Sequence, residues 1–104
     1  MIKYSYNNLN TISNLEVLGH ANMAKYGTDI VCSSVSTLII SSINLIERLQ
    51  LKDFLKLELT EGIFRLQVLK ANSLLNTILI NLVESLNDLN DQFPQYIKKE
   101  KKTC

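Results

Sequence analysis

The sequence predicts an α+β domain, a two-layer sandwich in the order β-β-α-β-β-α, with two helices on one face of a small, mostly antiparallel sheet. Three observations predict it. Ile2, Tyr4 and Tyr6 alternate with Lys3 and Ser5, and Leu55, Leu57 and Leu59 alternate with Lys56, Glu58 and Thr60, which is the period-two mark of half-buried strands. Two longer segments carry apolar residues at spacings of three and four, the helical period. Glu61-Gly62 separates two alternating runs, as a two-residue hairpin turn does. Strands with one apolar face need one covering layer, and two amphipathic helices supply it.

The elements follow in order. The first strand is Ile2 to Tyr6, and Asn7-Asn8-Leu9-Asn10 makes a turn. Ile12 to His20 reads as the second strand, with Leu15, Val17 and Gly19 on one face. A loop from Ala21 to Thr28 leads to a helix beginning at Asp29, a good N-cap whose carboxylate can accept from the N–H of Val31 or Cys32. Val35, Leu38, Ile39, Ile46 and Leu49 form its apolar stripe. Ser33, Ser34, Ser36, Ser41 and Ser42 are small enough to let the helix lie close to the sheet. Its many β-branched residues give it poor propensity, but strict alternation fails and the segment is too long for a strand. Phe64, Leu66 and Val68 alternate after the turn. Leu75, Ile78, Leu79, Leu82, Leu86 and Leu89 then form the stripe of a second helix, capped by Asn72 or Ser73 and stopped by Pro94. Residues 1–93 make one domain, and 94–104 read as a basic C-terminal tail, with Lys98 to Lys102 solvated and frayed.

The bulk composition narrows the function. A chain of 104 residues forms one small domain, for which oligomerisation is a way to bury more apolar area. Hydrophobic content of 46% excludes disorder by composition. A net charge of +1 lacks the basic excess of a dedicated nucleic-acid binder. The N-terminus has no apolar signal region. The longest apolar segment, Val35 to Leu49, is interrupted by Ser36, Ser41, Ser42, Asn44, Glu47 and Arg48, so no membrane span is expected. These features predict a cytoplasmic protein, where Cys32 and Cys104 stay as free thiols.

The chemistry concentrates in Gly19-His20-Ala21 and Gly27-Thr28-Asp29-Ile30-Val31-Cys32. They hold the sole histidine and one of two cysteines. Strand end followed by helix start can bring an imidazole beside a thiol on the first helical turn, where a thiolate is favoured. Such a pair is the minimum apparatus of a cysteine hydrolase, with Cys32 as nucleophile and His20 as proton carrier. Taken singly, each residue has a plainer role. Cysteine is among the most often buried residue types, so Cys32 also fits a small core residue among Ile30, Val31 and Val35. His20 also fits a surface loop. Asp29 caps the helix and can orient the histidine, although its negative charge near Cys32 opposes a thiolate. Ser36, one turn after Cys32, can hydrogen-bond near the thiol or simply pack. Gly27 supplies a backbone conformation other residues resist.

Other chemistries lack their residues. One histidine and two distant cysteines make no zinc set, so no metal and no cofactor is expected. Three isolated glycines make no phosphate-binding loop. Glu47, Glu58, Glu61 and Glu84 form no acid/base pair in sequence.

The string Gly19-His20-Ala21 followed by Gly27 to Ser36 resembles the motif of the ribosomal-processing cysteine protease family known as Prp. The resemblance extends over nearly the whole chain, and its specific part is the twelve-residue step from His20 to Cys32. Ser33-Ser34 stands where the family usually has two alanines, a small-for-small exchange. The resemblance implies that Cys32 is the nucleophile and His20 the general base, with Asp29, Ser36, Gly19 and Gly27 in support. It implies a substrate loop containing Ala21, Asn22, Lys25 and Tyr26, mobile until substrate arrives. It also implies a homodimer that removes the N-terminal extension of ribosomal large-subunit protein twenty-seven, without direct contact to nucleic acid or membrane. A different class of function, a non-catalytic ribosome-assembly or interaction module of the same fold, predicts instead that Cys32 alkylates like an ordinary thiol.

Overall fold

The computed structural model describes residues 1–19 and 28–100, apart from the side chains of Thr28 and Asp29. Its elements are β1 (Ile2–Tyr6), β2 (Asn14–Leu18), α1 (Thr28–Arg48), β3 (Leu55–Thr60), β4 (Ile63–Val68), α2 (Ser73–Gln92) and β5 (Ile97–Lys99), with one 3-10 turn at Lys52–Phe54. The sheet runs β3-β4-β2-β1-β5. Every neighbouring pair is antiparallel except β1 and β5. This is the α+β two-layer sandwich that the alternating and helical periods predict, with one strand added.

Alternation decides which face of the sheet is buried. Ile2, Tyr4, Leu15, Val17, Phe64 and Leu66 form the inner face, and Val31, Val35, Ile39 and Ile46 of α1 join the same core. α2 adds Leu75, Ile78, Leu79, Leu82, Val83 and Leu86. The opposite face stays open and polar. There Arg65 on β4 sits between Glu16 and Glu58, with Nε donating to Glu16 Oε2 at 2.7 Å and Nη1 to Glu58 Oε1 at 3.1 Å. Register places all three residues in one row across β2, β4 and β3, so an exposed network replaces apolar cover on that face.

Local chemistry fixes the element ends. Asn72 caps α2 by accepting from the Leu75 N–H at 3.0 Å, as expected of an asparagine at that position. α1 ends differently. Gln50 adopts a left-handed φ of 60°, while the N–H groups of Gln50 and Leu51 donate to the carbonyls of Glu47 and Ile46, each at 3.0 Å. This 6→1 and 5→2 pair is a Schellman ending, and Leu51 is buried just beyond it. It explains why the apolar stripe does not reach Leu49, which the periodicity included: the chain turns first, and Leu49 is 39% exposed. Val31, which the stripe omitted, is fully buried.

Four further expectations are corrected. The second strand is shorter than Ile12 to His20: Ile12 is buried, but its N–H donates to Asn76 Oδ1 of α2 at 2.9 Å instead of to a strand. Ser33 and Ser34 of α1 lie off its sheet-facing stripe of Val31, Val35, Ile39 and Ile46, whereas Ser36 borders the groove toward the β3–β4 hairpin. Ser33 and Ser34 border the cleft toward α2 instead, and Ser34 Oγ donates back to the Ile30 carbonyl at 2.8 Å. By length and composition alone, Ile30–Arg48 is apolar enough to cross a membrane, with mean hydropathy 1.6, so its interruptions count for less than expected.

The largest correction concerns the segment read as a basic tail from residue 94. Ile97 is fully buried, and β5 lies parallel to β1. The Ile2 N–H donates to the Tyr96 carbonyl at 2.9 Å and the Glu100 N–H to the Tyr4 carbonyl at 2.7 Å. Lys99 is no free tail residue, because its Nζ lies 4.6 Å from the centroid of the Tyr6 ring. Burial tends to raise the Tyr6 phenol, but hydrogen bonds with Lys99 and Asn87 and the Lys99 charge outweigh it and hold Tyr6 below its ordinary value. Tyr4 responds oppositely. Burial, joined by repulsion from Tyr6, pushes it up to about 12, and its hydroxyl donates to Asn87 Oδ1 on α2. The two tyrosines thus tie β1 to both α2 and β5.

Candidate active site

α1 carries Cys32 on its second turn. The helix begins at Thr28, one residue before the expected start, so Asp29 lies inside it and is not its N-cap. Cys32 becomes its fifth residue, just past the unpaired amides of the first turn. Cys32 is half-buried and packs against the core beside Val31 and Val35. It packs, as the plainer reading expects, and it also borders a surface groove.

That groove lies between α1 and the β3–β4 hairpin. Its volume is about 240 Å³, and Cys32, Ser36 and Ile40 line one side while Leu59, Glu61 and Ile63 line the other. Sheet order creates it. β3 is the edge strand, and its Leu59 stays 51% exposed, as does Ile40 across the gap. Ser36 follows Cys32 by one turn and borders the same groove, as the helical spacing predicts. Among the described residues, no three histidine, cysteine, aspartate or glutamate side chains converge where they could hold a metal ion.

Gly19 shows why a glycine stands before the histidine. Its φ is +97°, and a Cβ there would lie 2.5 Å from the Met1 carbonyl oxygen. Its N–H donates to the Gly62 carbonyl at 2.9 Å. Gly62 itself has φ 76°, the left-handed region that glycine enters without penalty. The hairpin turn is thereby pinned to the end of β2, one residue before His20, and Gly19 also borders the groove. Gly19→Ala is expected to cost about 1–3 kcal/mol through strain and backbone collision. Thermal unfolding should then show a melting temperature lower by roughly 5–15 °C. An unchanged melting temperature would contradict this account of the site's entry.

The structure thus brings together Cys32, Ser36 and Gly19. His20, Ala21, Asn22, Lys25, Tyr26 and Gly27 lie outside the described residues, as does the side chain of Asp29. Cys104 lies outside them too. The hairpin wall was missed at the level of sequence. Leu59 and Glu61 read there only as strand and turn residues, Ile63 is not singled out, and nothing local says that they border the groove of Cys32.

The profile of a family described as cysteine protease Prp matches residues 1–98. No curated protein matches the chain. Solved structures do. The chain is similar to the essential ribosomal processing protease Prp from S. aureus in complex with a substrate peptide, with a TM-score of 0.82 and 23% identity over 98% of this chain and 100% of that one. A second structure of that protease, with a covalently linked product peptide, gives a TM-score of 0.77 at 23% identity over 97% of each chain. A protein from Streptococcus mutans gives 0.75 at 23% identity, over 96% of this chain and 92% of that one.

Proposed function

This chain belongs to the cysteine protease Prp family, and from that premise we propose that it removes the N-terminal extension of ribosomal large-subunit protein twenty-seven during ribosome maturation. The observation that carries the reading is the half-buried Cys32 opening into an apolar groove beside the segment that leads to His20. A similar fold holds a substrate peptide in the ribosomal processing protease from S. aureus, which supports a peptide as the occupant here.

Cys32 is the nucleophile and His20 the proton carrier. Cys32 passes its thiol proton to His20, Sγ attacks the scissile carbonyl carbon, and the negative charge moves to the carbonyl oxygen, where peptide N–H groups at the start of α1 are the available donors. The carbonyl re-forms as the C–N bond breaks, and the His20 imidazolium gives its proton to the departing amine. A thioester remains on Cys32. His20 then takes a proton from water, hydroxide adds to the thioester, and the carboxylic acid leaves with Cys32 restored. Asp29, Ser36 and Gly27 support the pair. Ala21, Asn22, Lys25 and Tyr26 belong to the substrate loop of this reading, and their ordering by the correct peptide would assemble the site.

The protein works in the cytoplasm, without metal or cofactor, and as a homodimer. Ile30 and Leu45 project from α1 at 59% and 46% exposure, and a second copy would cover such apolar surface. The test is direct. Purified protein is incubated with the host's extended ribosomal protein, and the products are read by mass spectrometry. A single cut that releases the extension is expected. An uncut substrate would overturn the reading.

A further inference from the structure

The groove beside Cys32 has apolar walls and one charged side chain. Ile39, Ile40, Leu59 and Ile63 supply the walls, and Glu61 is the only charged residue among the described residues that line it. Glu61 stands exposed at the tip of the β3–β4 hairpin. The nearby carboxylates on the sheet are engaged elsewhere, because Glu16 and Glu58 hold Arg65 on the opposite face. Glu61 takes part in none of the ion pairs among the described residues. Its backbone does not drift, since the bond from the Gly19 N–H to the Gly62 carbonyl anchors the turn to β2.

A carboxylate carried by an anchored turn at the rim of an apolar groove discriminates by charge. Aliphatic walls accept a bulky apolar side chain whatever its neighbours, whereas the carboxylate attracts a cation and repels an anion. We propose that Glu61 is a specificity-determining residue that selects substrates carrying a lysine or arginine close to the apolar side chain held in the groove. The proposal deepens the protease reading and rests on it.

Two peptides test it, each with a bulky apolar side chain at the cut, one flanked by lysines and one by glutamates. Wild type should cleave the lysine peptide with a kcat/KM about two- to fivefold higher, expressed mainly in KM and shrinking as salt is raised. Glu61→Gln should abolish the preference and Glu61→Lys reverse it, with kcat little changed. A preference that persists unaltered in both variants, or that is missing from wild type, overturns the role of Glu61. Should Glu61→Lys fail to fold, Glu61→Gln alone decides. Cys32→Ala is run alongside. Cleavage of neither peptide by wild type, or equal cleavage by Cys32→Ala, overturns the protease reading and this proposal together, and is thereby distinct from the failure of Glu61 alone.

Discussion

Replacing Cys32 by alanine is expected to lower cleavage of the ribosomal extension by about four orders of magnitude or more, the scale seen when a catalytic nucleophile is removed. The variant should remain folded. Cys32 is only half-buried, and the exchange removes a single sulfur at the edge of the core. Loss of activity with an intact unfolding transition therefore reports chemistry and not collapse. His20→Ala should cost about 10²–10⁴-fold, the range for one positioned proton carrier. Its effect should fall on kcat more than on KM, because the imidazole acts as bonds break. Combined, the two changes should cost little more than Cys32→Ala alone, since a general base has nothing to activate once the thiol is gone. Additive losses would mean that the two residues do not work as a unit.

Deleting residues 94–104 is expected to abolish cooperative folding. The deletion removes Ile97, fully buried, and Tyr96, which packs against the core. It strips β1 of its parallel partner and uncovers the edge beside Ile2 and Tyr4, both 1% exposed. Loss of one buried isoleucine side chain costs about 2–5 kcal/mol, and a domain of this size holds only about 5–15 kcal/mol in all. Removal of the whole strand, with its backbone hydrogen bonds, consumes that margin. Ile97→Ala is the milder version, and should lower the urea midpoint while leaving the slope unchanged. Circular dichroism of the truncated chain reads the outcome. A truncated chain that still melted cooperatively near the temperature of the full chain would restore the picture of a dispensable tail.

That strand shows where the sequence is hard to read. β5 is three residues long, and only Ile97 faces inward. Lys98 and Lys99 are exposed, although Lys99 lies over the Tyr6 ring, so the composition is that of a frayed end, and Tyr96-Ile97 after Pro94 was the whole signal. The stripe of α2 and the β3–β4 hairpin were legible because each carries a period over many residues, which local sterics and burial enforce together. The boundaries of α1 were less so. Its start slid by one residue, and its end rests on Gln50 in a left-handed conformation, which glutamine does not announce. Val31 escaped the stripe for a related reason, since β-branched residues crowd several faces of that helix. For the site, the spacing of Cys32 and Ser36 put both on one side of a helix, and the structure places both in one groove. The opposite wall was invisible. Leu59 and Glu61 come to border the same groove as Cys32 only because β3 and β4 occupy one flank of the sheet, and strand order is a long-range property that no local pattern encodes.

The account stands on Cys32 being a nucleophile served by His20 within a peptide-binding groove. The measurement that reaches this most directly is labelling by a peptidyl chloromethyl ketone bearing an apolar side chain next to the warhead and lysine beyond it, followed by intact-mass and fragment analysis. The account predicts one adduct, on Cys32, formed faster than on free cysteine and slowed at least about tenfold in His20→Ala, a conservative share of the proton-carrier effect. Labelling of Cys104 in place of Cys32, or a Cys32 rate indifferent to His20, would contradict it.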